Sequence, residues 1–103
     1  MVASRHQLLD DALSMSRRMA ALGDAGDWDA VIALEPERRS LLEQAFATHA
    51  PADEVVADRV RAILDLDKQL MAQSVEARDR VAEEIGLASK GRKASNAYQS
   101  AGR

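Results

Sequence analysis

The sequence predicts an all-α fold, an antiparallel bundle of three main helices plus a short C-terminal helix, and three observations carry that prediction. The apolar fraction is 47% but only 3% of the chain is aromatic. Ala and Leu dominate it, which favours helices and supplies a β-sandwich or a parallel sheet poorly. Apolar residues also recur at alternating three- and four-residue spacing, the rhythm of a helical face. Helix start and stop signals separate the periodic stretches. At 103 residues the chain is expected to form a single helical domain over 1–103, with a basic C-terminal segment at 90–103 that is a candidate lid.

The first helix opens on Ser4-Arg5-His6-Gln7, a capping box in which the Ser4 hydroxyl accepts from the Gln7 amide. Leu8, Ala12, Met15, Met19 and Leu22 then mark one face, and Gly23 is the expected stop because it adopts a left-handed cap at low cost. Asp27 is the expected N-cap of the second helix. That helix carries Trp28, Ile32, Leu42 and Phe46 on one stripe, with Val31, Leu34, Leu41 and Ala45 beside it. Pro36 interrupts its hydrogen bonding, yet the stripe keeps phase across the proline, predicting a kinked helix or two short helices nearly in line. The segment His49-Ala50-Pro51-Ala52 ends it.

The third helix is the longest, from about Asp53 to Ile85 or Ala88, along a seam of Val56, Val60, Ile63, Asp67, Leu70, Ser74, Ala77, Val81 and Ile85. At 1.5 Å per residue it would run about 50 Å, against roughly 30 Å for each of the first two. Short connections make neighbouring helices antiparallel, so the third runs beside the first and extends past it. Val81, Ile85 and Leu87 then need another cover: the C-terminal segment folding back, a second copy of the chain as a homodimer, or a partner helix. Ala94, Ala97 and Tyr98 form a small apolar face in the basic C-terminal segment. That face matches either the Val81–Ile85 region or a groove at Leu66 and Leu70, and the flexible thioether of Met71 suits such a groove as well as a core.

Several chemistries find no support in the residues. The chain has no Cys, which excludes disulfides and thiol chemistry, and no apolar run approaches the roughly 18 residues of a membrane span. A net charge of −3 argues against a general nucleic-acid binder. His6 and His49 fit no metal-ligand spacing, so no metal or other cofactor is expected, and the serines lack a nucleophile motif, so no catalytic residue is assigned. The N-terminus has no signal-peptide apolar region, which makes the cytoplasm the expected compartment. Glu35, Arg39 and Asp67 fall on inward positions; with Arg38 as the other candidate partner of Asp67, they are read as a polar pairing that fixes helix register.

Two resemblances follow. The segment Arg61-x-x-Leu64-Asp65-x-Asp67-x-x-Leu70, with Arg78, Glu84-Ile85-Gly86 and Lys90, resembles the first helix of an all-helical chorismate mutase. That would imply Arg61, Arg78 and Lys90 as carboxylate ligands, but only thirteen residues follow Lys90 where that family places two more helices. The whole chain resembles the FliT family of flagellar type III export chaperones. The matching residues are Leu8-Leu9, Met15, Met19, Asp27-Trp28-Asp29, Ile32, Leu34-Glu35, Arg38-Arg39 and Leu41-Leu42-Glu43. Ile63-Leu64-x-Leu66-Asp67, Leu70, Arg78 and Lys90-Gly91-x-Lys93-Ala94-x-x-Ala97-Tyr98 complete it. The resemblance implies a non-enzymatic cytoplasmic chaperone whose groove receives the C-terminal amphipathic helix of the filament-cap protein. It also implies a final helix that can cover the groove, and further partners in the export ATPase apparatus or the flagellar transcription activator.

Overall fold

The computed structural model describes residues 3–47 and 49–101, with side chains through residue 91. Three helices account for the ordered elements: α1 (Arg5–Asp24), α2 (Trp28–Ala45) and α3 (Glu54–Ala101). No strand occurs among the described residues. The chain divides into two compact units, Met1–Gln73 and Ser74–Arg103. The first holds α1, α2 and the opening turns of α3; the second holds the rest of α3.

In the first unit the helices run up, down and up. Arg5, opening α1, donates from Nε to the Ala45 carbonyl that closes α2 (3.1 Å) and from Nη1 to the Ala50 carbonyl (2.9 Å). Its guanidinium also lies 5.7 Å from the centre of the Phe46 ring. The start of α3 sits beside the start of α1: His6 pairs with Asp53 at 2.8 Å, and Arg59 pairs with Asp10. At the other end of α1, Gly23 lies against Leu70 and Gln73 of α3. α1 and α3 are therefore parallel, and α2 is antiparallel to both.

The caps follow from residues that can accept backbone donors. Ser4 Oγ accepts from the Gln7 amide at 3.1 Å, and Asp27 Oδ1 accepts from the Ala30 amide at 3.3 Å. Asp53 caps α3 by accepting from the Val56 amide at 2.8 Å. The first two are the caps expected from sequence. The expected stop at Gly23 is not: α1 continues to Asp24, and Gly26 takes the left-handed conformation at φ 77°. Gly23 instead stays helical and buried, because its missing Cβ lets α3 and Trp28 approach closely.

The core joins Leu8, Leu9, Ala12 and Leu13 of α1 to Ala45 of α2 and to Val56 and Ile63 of α3. Leu41, Leu42, Val60 and Leu66 pack on its border. Each fully buried aliphatic side chain stabilises by about 1.5–3 kcal/mol relative to exposure, so the α1 face alone anchors the bundle. α2 is rotated relative to the expected stripe. Its buried positions are Val31, Arg38 and Ala45, while Ile32 is 68% exposed and Phe46 48%. Arg38 draws the helix round by turning inward to meet groups on both neighbours.

α2 is one helix through Pro36, rather than two short ones, and it ends at Ala45, ahead of the expected 49–52 segment. α3 runs on to Ala101 as a single helix. The separate C-terminal helix expected after Gly91 is not shown: two isolated glycines weaken an exposed helix by about 1 kcal/mol each but do not end it as proline would. Ala94, Ala97 and Tyr98 lie beyond the described side chains.

Candidate functional site

A polar cluster binds the three helices of the first unit. The Arg38 side chain, in a residue only 8% exposed, donates from Nη1 to Asp67 of α3 and to Ser16 Oγ of α1 (3.3 Å), and from Nη2 to Glu35 Oε2 (2.8 Å). Ser16 passes the chain on by donating to the Ala12 carbonyl at 2.8 Å. Arg39 is the outlier of the expected group: it stays exposed, with Nη2 3.9 Å from Glu35 Oε1, while Asp67 takes Arg38 instead. Arg38 is the hub because its planar fork reaches two carboxylates and a hydroxyl at once. The arrangement offers cohesion, with no nucleophile or proton-transfer dyad in it.

Beside this cluster lies an apolar flank. Ile32 stands one turn before Glu35 on α2, and Leu64 and Met71 stand one turn to either side of Asp67 on α3. Ile32, Leu64 and Met71 are all exposed, Met71 at 70%. Trp28, Leu42 and Leu70 are half-buried at the margin of the same flank. Exposed large apolar side chains are candidates for an interaction surface where they form a contiguous patch. Leu66, Leu70 and Met71 belong to the partner-binding set expected from sequence; Ile32 and Leu64 lie outside that set. In sequence Ile32 belongs to the apolar stripe of α2, and Leu64 carries no signal of its own beyond flanking the seam.

The second unit presents its own exposed apolar residues, Val75, Val81, Ile85 and Leu87. Of these, Val81 and Ile85 belong to the expected partner-binding set. Leu66, the remaining described member, is half-buried and packs against the core.

The Val56 amide and then the His6 ring, both hydrogen-bonded to Asp53, hold its carboxyl below the usual range. His49 is exposed, and among the described residues no three His, Cys, Asp or Glu side chains cluster as metal ligands would. Arg61 pairs with Asp58 at 2.7 Å on an exposed surface; Arg78 and Lys90 are also exposed. No helix among the described residues is long and apolar enough to cross a membrane.

Neither a curated protein nor a solved structure matches the chain. A family model does: the one for the flagellar protein FliT matches residues 6–100. That span takes in all three helices, the Arg38–Asp67 cluster and both sets of exposed apolar residues. The chain belongs to the FliT family of flagellar export chaperones.

Proposed function

We propose that this chain is a non-enzymatic cytoplasmic chaperone that holds the C-terminal amphipathic helix of the flagellar filament-cap protein. The observation that carries the reading is the exposed flank of Ile32, Leu64 and Met71 beside a well-buried three-helix core. An amphipathic client helix would lay its i, i+3, i+4 and i+7 anchors on such a face. Val81 and Ile85, exposed on the second unit, are further candidate client contacts of that unit by itself. The export ATPase apparatus and the flagellar transcription activator stand as further partners on the same reading.

The C-terminal segment 90–103 serves on this reading as a lid. Gly86 and Gly91 have no neighbouring atom within 4 Å of where a Cβ would stand, and each lowers helix propensity by about 1 kcal/mol. Detachment beyond Gly91 is therefore cheap, and Ala94, Ala97 and Tyr98 would form the short fourth helix that competes with the client. Titration of the cap protein's C-terminal peptide into the full chain, followed by calorimetry, tests both parts. Ile32→Glu and Met71→Glu should each weaken binding roughly five- to thirtyfold, the cost of an interface anchor of roughly 1–2 kcal/mol. Deletion of residues 90–103 should tighten it. Absence of binding, or binding indifferent to both glutamates, would remove the chaperone reading of this flank.

A further inference from the structure

The first unit carries another concave surface, on the side of α2 that faces α1 rather than α3. There the two helices leave an open trough of about 380 Å³. Its lining includes Met15 of α1 with Leu34 and Leu41 of α2, all half-buried, and the charged Asp11, Arg18 and Glu37, all exposed. These positions fall at i, i+4 and i+7 on α1 and at i, i+3 and i+7 on α2. The trough is therefore two helical turns long, about 10 Å.

Its charges are ordered. Because α1 and α2 are antiparallel about the turn at Ala25–Asp27, Arg18 stands at the Leu34 end and Asp11 at the Leu41 end. Glu37 lies between them. None of the three has a hydrogen-bonded or ion-pair partner among the described residues, in contrast to Asp10 and Glu35 one helix face away, which pair with Arg59 and Arg38. The trough thus offers an apolar floor with one cation at one end and carboxylates at the centre and the other end, all unpaired among the described residues.

We propose that this trough is a docking site for an amphipathic helix of a partner protein. The helix has about two turns of Leu- or Met-like residues against Met15, Leu34 and Leu41, a carboxylate at the end beside Arg18, and Lys or Arg along the part facing Glu37 and Asp11. Helical walls two turns long accept a helix by ridge-and-groove packing, and the Met15 thioether adapts to the side chains that enter. The flexible charges add direction: the occupant is seated one way round. This surface is separate from the Ile32–Leu64–Met71 flank, so a client on that flank and a helix here can be held together.

The test uses an 18-residue helical peptide with a leucine stripe, Glu at its N-terminal end and Lys along its C-terminal half, carrying a nitroxide at the N-terminus. It is added to the isotope-labelled full chain, with amide broadening as the readout. The nitroxide should broaden Arg18 and Leu34. In the double exchange Asp11→Arg with Arg18→Asp, both at exposed positions, it should broaden Leu41 instead. A peptide with Gln at every charged site should bind about tenfold more weakly, since three surface ion pairs are lost. Broadening that stays at one end in both proteins, that falls on Ile32, Leu64 and Met71, or that never arises would overturn the proposal. So would self-association of the chain that is abolished by the Asp11 and Arg18 exchange, because the occupant would then be a second copy.

Discussion

Asp67→Ala is expected to destabilise the first unit by about 1–2 kcal/mol, and the value follows from how the cluster is placed. Breaking one partner out of a fully buried ion pair costs about 3–5 kcal/mol, because the survivor is left charged and unpaired. Here the survivor is Arg38, with its side chain 10% exposed, but Asp67 itself is 39% exposed. Solvent screens that half of the pair, which lowers the figure. Arg38 also keeps Glu35 and Ser16 as partners after the substitution. Urea unfolding followed by far-ultraviolet circular dichroism and by Trp28 fluorescence measures the loss. With a slope of about 1–3 kcal/mol per molar for a chain this size, the midpoint should fall by roughly 0.3–2 M. The decisive quantity is the coupling in a double-mutant cycle. Asp67→Ala with Arg38→Met should couple by about 1 kcal/mol or more, and Asp67→Ala with Arg39→Met by under about 0.5 kcal/mol. Equal couplings, or a larger one with Arg39, would refute the assignment of Arg38 as the hub.

Other expectations follow from single positions. Gly23→Leu should destabilise by about 2 kcal/mol or more, since even a Cβ there would meet Gln73 Oε1 at 2.8 Å and Leu70 Cδ1 at 2.9 Å. Gly23→Ala should stay within about 1 kcal/mol of the parent, because the two nearest atoms end flexible side chains, the Trp28 ring at 3.2 Å needs to give only a few tenths of an ångström, and the helix gains propensity; thermal melts of the pair check this. Gly26→Ala should cost about 1 kcal/mol by forcing a side chain into φ 77°, with Gly26→Asn milder, again read by melting. Asp53 has its carboxyl pKa lowered by folding, so its contribution is fully present above the ordinary carboxylate value of 3.8 and is lost as pH falls through the folded-state value. Asp53→Asn keeps the cap acceptor but titrates no longer, so the fall in melting temperature below about pH 4 should be shallower than in the parent. An unchanged acid limb would rule that contribution out.

The elements that sequence makes legible are those written in local chemistry. Ser4 and Asp27 start helices because their side-chain oxygens reach an amide three residues on, and that geometry needs no tertiary partner. The seam from Val56 to Leu70 was visible for the same reason: its period belongs to one helix. Rotation of α2 was not visible. Trp28, Ile32, Leu42 and Phe46 form the more apolar stripe, and hydrophobicity alone turns them inward. The packed helix instead buries Val31, Arg38 and Ala45, because Arg38 finds Ser16 on α1 and Asp67 on α3. Gly23 misled in a similar way, since a glycine near a helix end serves either as a cap or as a place of close approach. Only the neighbour decides which. The candidate flank was half legible: Met71 stood out by its thioether, while Ile32 and Leu64 look like core residues until the rotation of α2 is known.

That rotation ties the polar cluster to the flank proposed for docking. Turning α2 about its axis by one residue would bring Ile32 toward the core and carry Arg38 outward. The gain would be the burial of Ile32 in place of Val31, about one methylene or roughly 0.8 kcal/mol. The loss would be the bonds from Arg38 to Asp67 and Ser16, together with desolvated partners left behind. Hydrogen bonds to a charged donor stabilise by about 1.5–3 kcal/mol each, so the cluster holds the rotated state above the native one. On the proposed function, the protein must keep its apolar flank from being consumed by its own core. Directional bonds do this where nonspecific packing would not, and a single buried arginine between α1 and α3 is a compact way to supply them. It follows that Asp67→Ala should weaken client binding as well as stability, through side chains it does not touch: Ile32 would become less exposed, and the loss of affinity would track a slower hydrogen exchange around it rather than any contact made by Asp67.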